Sequence, residues 1–233
     1  EITTRLVGSE MCIRDSLMVG CGDDDSSPVL LSSENGKFID ERDGSVYHWV
    51  RYGDLEWMVE NIRLKTDKGK CQIYSENLIT AEERKEQEEY NYSKYGYLYD
   101  YESAESVVPR GWRIPSDKDW QYLEEMMGMG KEDLLKFGWR GDQEGAILQQ
   151  QESIWLRPGG FINYEADRLG IELNSYTPDF VGFYGFFWTS TKDTDKENAV
   201  IYRQIRYNSS KLGRFSTLPR KLLSLRCVRD AAR

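Results

Sequence analysis

Apolar and polar positions alternate with a period of two along "SVYHWVRYGDLEWMV", residues 45–59. Val46, His48 and Val50 fall on one side of an extended chain, and Tyr47, Trp49 and Arg51 on the other. That pattern predicts a half-buried strand. Gly53-Asp54 turns the chain, and Leu55, Trp57 and Val59 begin a second strand; Asp43-Gly44 is a further turn signal just upstream. His48 lies mid-strand and reads as a structural or half-buried residue rather than a ligand. Order is expected to begin near Phe38.

Further along, the pattern becomes helical. "TAEERKEQEEYNYSKYG" is a charge run that predicts a solvated helix or loop at the surface. "LYDYESAESVV" predicts a short helix ending before Pro109. The clearest local signal is Ser116-Asp117-Lys118-Asp119-Trp120. Ser116 is placed as an N-cap, with Asp119 at the third helical position completing a capping box. Trp120, Leu123 and Met127 then share one face, and Gly128 supplies the stop. Met126, Met127 and Met129 read as packing residues. From Trp139 to Phe187 long periodicity disappears and Gly and aromatic residues take over, which predicts long loops and short strands. Such regions often carry function. Strand-like runs close the chain at Phe186–Thr191, Ala199–Tyr207 and Leu222–Val228. Asn208-Ser209-Ser210 and Leu218-Pro219-Arg220 read as turns between them.

Composition narrows the function. Forty acidic residues against 31 basic ones give a formal charge of −9, a field that repels nucleic acid. The single histidine, His48, removes zinc sites of the usual kind and most Ser-His-Asp chemistry. Fifteen Tyr, eight Phe and seven Trp suit a compact extracellular fold with many short strands, and aromatics with a polar handle make good binding surfaces. Chance pairs of carboxylates are expected in so acidic a chain and carry no signal for hydrolysis without geometry.

The first residues point to export. "LVGSEMCIRDS", residues 6–16, back-translates to the transposon adapter used in making sequencing libraries, so residues 1–16, Cys12 included, are set aside as an artefact. Leu17-Met18-Val19-Gly20-Cys21 resembles a bacterial lipobox, which makes Cys21 the expected lipid attachment site. The acidic stretch after it resembles the surface-export signal of Bacteroidetes-type lipoproteins. Residues 17–37 are therefore expected to be a signal remnant and a disordered tether, with one domain over 38–230. In an exported protein the remaining cysteines, Cys71 and Cys227, are a candidate disulfide. It would close a loop of about 155 residues, worth on the order of 4–5 kcal/mol in the chain-entropy view.

"DERDGSVYHWVRYGDLEWMVENI", "YGYLYDYESAESVVPRGWRIPSDKDWQYLEEMMG", "PGGF", "GFFWTST" and "LSLRCVRD" occur in this order. Together they resemble the Fibrobacter succinogenes major paralogous domain, over about residues 40–230. "RIPSDKDWQYL" and "LRCVRD" are also similar to the helix-start motif and closing strand of formylglycine-generating enzymes. The resemblance implies an α+β domain of the C-type-lectin-like fold, with paired terminal strands, two helices and a long loop region. It places Trp57, Trp112, Trp120 and Trp188 in the core. Relatives often carry cysteines where this chain has Tyr92 and Val108, which again leaves Cys71 and Cys227.

The expected function is a non-catalytic cell-surface lipoprotein module that recognises a glycan or a protein through aromatic loop residues. Trp139, Trp155, Tyr164, Tyr176, Tyr184 and Phe187 are the ligand-binding candidates. The alternatives are a structural subunit of a surface assembly and a formylglycine-generating-type enzyme. The latter needs a reactive cysteine pair late in the chain, where only Cys227 stands. No cofactor, catalytic residue or metal site is expected. Calcium, used by many lectins of that fold, wants about six to eight oxygens, and Thr177-Pro178-Asp179 is the nearest approach to the usual motif.

Overall fold

The computed structural model describes residues 34–75, 80–164 and 176–232, with residues 164 and 176–179 described by backbone alone. Two sheets organise the chain. The first has the order β1-β2-β3-β13, from β1 (Asn35–Ile39), β2 (Val46–Tyr52), β3 (Leu55–Met58) and β13 (Val228–Asp230). The 46–59 pattern thus gives the hairpin it predicts, turning at Gly53, which sits at φ 57°. Strand β1 begins three residues before Phe38, where order was expected to begin. Asn35 and Gly36 already pair with Val50 and Trp49, and the Trp49 ring fills the space beside Gly36 where a side chain would stand. The last strand returns to this sheet, with Val228 opposite Trp57.

The second sheet runs β4 (Cys71–Gln72), β5 (Leu98–Tyr99), β12 (Leu223–Ser224), β9 (Tyr184–Lys192), β10 (Val200–Arg206), β11 (Leu212–Thr217), β6 (Gly138–Arg140). A ribbon of β7 (Gly159–Tyr164) and β8 (Tyr176–Val181) joins it beside β9. Strand β11 falls between the two turns expected in the closing region, where no strand was foreseen. Its run Leu212-Gly213-Arg214-Phe215 has only two large apolar residues, so alternation there is weak.

The α+β class is as expected, and the described residues form five helices where the resemblance implied two. The charge run is α1 (Ala81–Tyr95), opened by a Thr80–Glu83 capping box. It buries only Asn91 and Tyr95, so it touches the body at its C-terminal end and is otherwise solvated. Helix α2 (Tyr101–Val107) ends ahead of Pro109, and α3 (Asp117–Met126) has the Ser116–Asp119 capping box. The two helices without a local signal in the sequence, α4 (Lys131–Leu134) and α5 (Glu144–Leu148), are single turns too short to show a helical period.

Helix α3 packs Trp120 and Leu123 against Trp57, Phe187, Ile205 and Leu212, forming one core. Trp57 and Trp120 meet edge to face at 4.8 Å, a contact worth about 0.5–1.5 kcal/mol beyond its buried area. A second core holds Tyr47, Tyr99, Trp112, Trp188 and Cys227. All four tryptophans assigned to the core are buried, and Met127 and Met129 pack as expected. His48, by contrast, stands exposed and pairs its Nδ1 with Glu60 at 2.7 Å, because the buried positions of β2 are Tyr47, Val50 and Tyr52. Among the described residues no helix is long and apolar enough to cross a membrane.

The disulfide expectation is overturned: Cys71 and Cys227 are both free. Cys71 lies half-buried on the short edge strand β4, where its Sγ donates to the Thr66 carbonyl at 3.3 Å. Cys227 is fully buried in the second core, and burial pushes its thiol far above the ordinary cysteine range. A thiol held protonated in this way packs as a small apolar group.

Candidate functional site

Side chains on β9, β10, β11 and β6 alternate between two faces. One face turns to α3. The other carries a row that crosses all four strands in register: Phe186, Gln204, Gly213 and Trp139. The next row is Trp188, Tyr202 and Phe215, and beyond the first row Tyr184 stands opposite Arg206. The rings form a chain of contacts. Trp139 meets Phe215 at 5.9 Å and Tyr184 at 6.5 Å; Tyr202 lies 6.0 Å from Phe215 and 5.9 Å from Phe186. Tyr184 continues to Phe180 at 5.2 Å, and Phe161 closes the set against Phe180 and Phe186.

Gly213 makes this packing possible. A Cβ there would lie 2.6 Å from the Phe215 ring and 3.0 Å from the Gln204 Cβ. Trp139 is 38% exposed and Phe180 48%, while Tyr184, Tyr202 and Phe215 are half-buried. Phe180 is held outward at φ 68° in a tight turn closed by the Phe183 amide donating to its carbonyl at 3.0 Å. The face also has polar groups. The half-buried Gln204 amide forms no side-chain hydrogen bond with the described residues, and the Arg206 guanidinium lies 6.0 Å from the Tyr184 ring. Burial raises the Tyr202 phenol to about 12, so it remains a neutral hydroxyl.

The six aromatic candidates are dispersed. Trp139 and Tyr184 meet on this face. Tyr164 and Tyr176 are register partners at one end of the β7–β8 ribbon, and their side chains lie outside the described residues. Trp155 belongs elsewhere; half-buried and at φ 49°, it stacks 3.5 Å from the Arg157 guanidinium. Phe187 is a correction. It is fully buried on the opposite side of β9 beside Trp120 and Arg226, because its neighbours Phe186 and Trp188 take the outer face. Cys21 lies outside the described residues. Phe161, Phe180, Tyr202 and Phe215 escaped the sequence reading. The alternation "YGFFW", with Tyr184, Phe186 and Trp188 two apart, is the signal that points to this face.

Beneath, the same strands carry an ionic lattice that the sequence reading also missed. Asp117 accepts from Arg203 Nη1 at 2.6 Å and Arg214 Nη2 at 2.8 Å. Glu124 accepts from Arg203 Nε at 2.6 Å and Arg140 Nη1 at 2.7 Å. Arg203 and Arg214 oppose each other directly across β10 and β11, an arrangement that repels unless an anion bridges it. Asp117 is that anion. Burial alone would raise its carboxyl, but the hydrogen bonds and charges of Arg214 and Arg203 outweigh that and hold it below the usual range. Asp117 and Glu124 stand seven residues apart, two turns of α3, and so share its buried face. Each of the three arginines touches one of the two carboxylates, and this lattice fixes α3 on the sheet. Among the described residues, no group of three or more His, Cys, Asp or Glu side chains is placed to hold a metal ion.

The architecture is that of a mixed α+β domain with an open aromatic sheet face. The model for the Fibrobacter succinogenes major domain matches residues 50–229, most of the chain, and the chain belongs to that family. No curated protein and no solved structure matches it.

Proposed function

We propose that this domain is a non-catalytic binding module that takes carbohydrate on the aromatic face of β9, β10, β11 and β6. The observation that carries this reading is the linked set of rings in which Trp139 joins Phe215 and Tyr202 on one side and Tyr184 and Phe180 on the other, with Trp139 and Phe180 exposed. Sugar rings present C–H faces that stack on such surfaces, and their hydroxyls need nearby polar partners. Gln204 and Arg206 supply them. Titration of the domain from Glu34 onward against polysaccharides that bind on a glycan array tests this. Trp139→Ala is expected to weaken binding about tenfold or more with the fold retained. A blank array together with capture of a protein partner through the same residues would replace carbohydrate by protein.

The proposal extends to scaffold and location. A C-type-lectin-like fold is supported by the return of β13 to the sheet of β1–β3; an experimental structure with a different connectivity would reject it. Lipid attachment at Cys21 and display at the outer membrane surface are supported by the lipobox-like run before it. Metabolic labelling with a palmitate analogue should be abolished by Cys21→Ser. A role in a surface assembly finds support in the outer strand β1, where Ile39 is 59% exposed. Concentration-dependent self-association in size-exclusion chromatography, lost on Ile39→Lys, would favour it.

A further inference from the structure

Charge is spread unevenly over the sheet that carries the aromatic face. Strands β6, β7, β9, β10 and β11 hold no aspartate or glutamate, although the chain has 40 acidic residues. The inward arginines of these strands receive their carboxylates from α3, through Asp117 and Glu124. The adjoining β8 has one acidic residue, Asp179, opposite Phe161 in register.

Two cations border the outer rings, and neither forms an ion pair among the described residues. Arg206 stands opposite Tyr184 across β9 and β10, exposed, with its guanidinium 6.0 Å from the ring centroid. Lys221, just ahead of β12, holds its Nζ 5.1 Å from the Phe161 ring centroid. Lys221 is half-buried, and desolvation pulls it below the ordinary lysine range. A ring face compensates a desolvated cation only in part, and an anion that arrives there gains charge-assisted hydrogen bonds. A run of rings in contact joins the two cations. Phe161 stacks on Phe180 at 6.1 Å, and Phe180 lies 5.2 Å from Tyr184. Arg206 and Lys221 thus flank the stretch where Phe180 is 48% exposed. On such an open face a polymer meets several points in turn and needs no enclosed cavity.

We propose that the aromatic face takes an acidic polysaccharide, one that carries carboxylates on its sugar rings, and that Arg206 and Lys221 select it. The inference rests on the carbohydrate reading of this face and names the class of sugar. The rings stack on the apolar faces of the sugars, and the two cations take the carboxylates. Arg206 then serves a charged group as well as hydroxyls.

The probes are three uronate polymers, polygalacturonate, alginate and hyaluronan, each beside its carboxyl methyl ester, which keeps the sugar and removes the charge. Polyglutamate supplies carboxylates without sugar. In calorimetric titration of the protein, at least one acid form should bind about tenfold or more tightly than its ester. Lys221→Gln should cut that preference about fivefold and Arg206→Gln about threefold, with urea midpoints close to wild type. Lys221→Arg, which keeps the charge, should retain it. Acid forms bound no more tightly than their esters, or a preference unchanged in both glutamine variants, would overturn the inference and leave the carbohydrate reading standing. Polyglutamate bound as tightly as the best uronate polymer would overturn it too, since charge without sugar would then suffice. If the folded protein bound no acid form, no ester and no neutral polysaccharide, the carbohydrate reading would fall and this inference with it.

Discussion

The two faces of the sheet built from β9, β10, β11 and β6 use the same strands for opposite ends. The face toward α3 buries two carboxylates and three arginines and gives each arginine a carboxylate partner. The outer face gathers rings and leaves Trp139 and Phe180 open to solvent. Matched burial gives rigidity and position but no site. Partial exposure of linked rings gives a site, and its geometry depends on the rigid layer beneath. The period of two lets one strand serve both ends, since Arg203 and Tyr202 are neighbours in sequence and point to opposite sides.

Breaking the inner lattice is expected to have the largest effect. Glu124→Ala leaves Arg140 and Arg203 buried with their shared anion gone, and breaking a buried pair in this way costs roughly 3–5 kcal/mol. Urea unfolding measures it; a cost below about 1 kcal/mol, typical of exposed pairs, would mean that the lattice is not tight.

Acid provides the next test of the same layer. Asp117 and Asp119 are both held below the usual carboxylate value of 3.8, in each case against burial, by Arg214 and Arg203 for the first and by Arg113 and Ser116 for the second. A carboxyl depressed in the folded state stabilises the fold above its unfolded value and loses that contribution as pH falls through the folded one. Urea midpoints should therefore be insensitive to these groups above about pH 5 and fall progressively below about pH 4. Asp117→Asn should flatten that fall, while Trp139→Ala should leave its slope unchanged.

Gly213→Val targets the outer face from beneath the rings. Its side chain would strike Phe215 and Gln204, and overpacking of this kind costs about 1–3 kcal/mol. Ligand binding should fall with it, as the Phe215 ring is displaced. The smallest expected change in stability is that of Trp139→Ala, about 1 kcal/mol from two ring contacts at a partly exposed position. Its effect on binding should be disproportionately large. Equal losses of stability and binding would make Trp139 a packing residue and remove it from the site.

Legibility in the sequence followed the range of the interaction. The β2–β3 hairpin, the α3 capping box and the solvated α1 are set within a few residues, so alternation, caps and charge runs reveal them. Strand β11 and the single-turn helices α4 and α5 were missed because each is too short or too mixed to display a period. In the aromatic face, Trp139 and Tyr184 were visible as residue types; the alternation of Tyr184, Phe186 and Trp188 sets Phe187 on the other side of β9, but the period alone does not say which side is wholly buried. The cysteines show the same limit. Export and parity suggested a pair, but a bond requires two side chains to meet, and both thiols are free, Cys71 on the edge strand β4 and Cys227 buried between β12 and β13.

The sequence by itself determined the elements with a local cause: where α3 begins, where the first hairpin turns, that α1 is bathed in water, and to which family the chain belongs. Tertiary structure alone decided which aromatic rings share a face and that Asp117 and Glu124 meet three arginines. Those outcomes depend on register between strands far apart in the chain. A shift of one residue reverses every side chain, so no reading of one segment at a time can contain them.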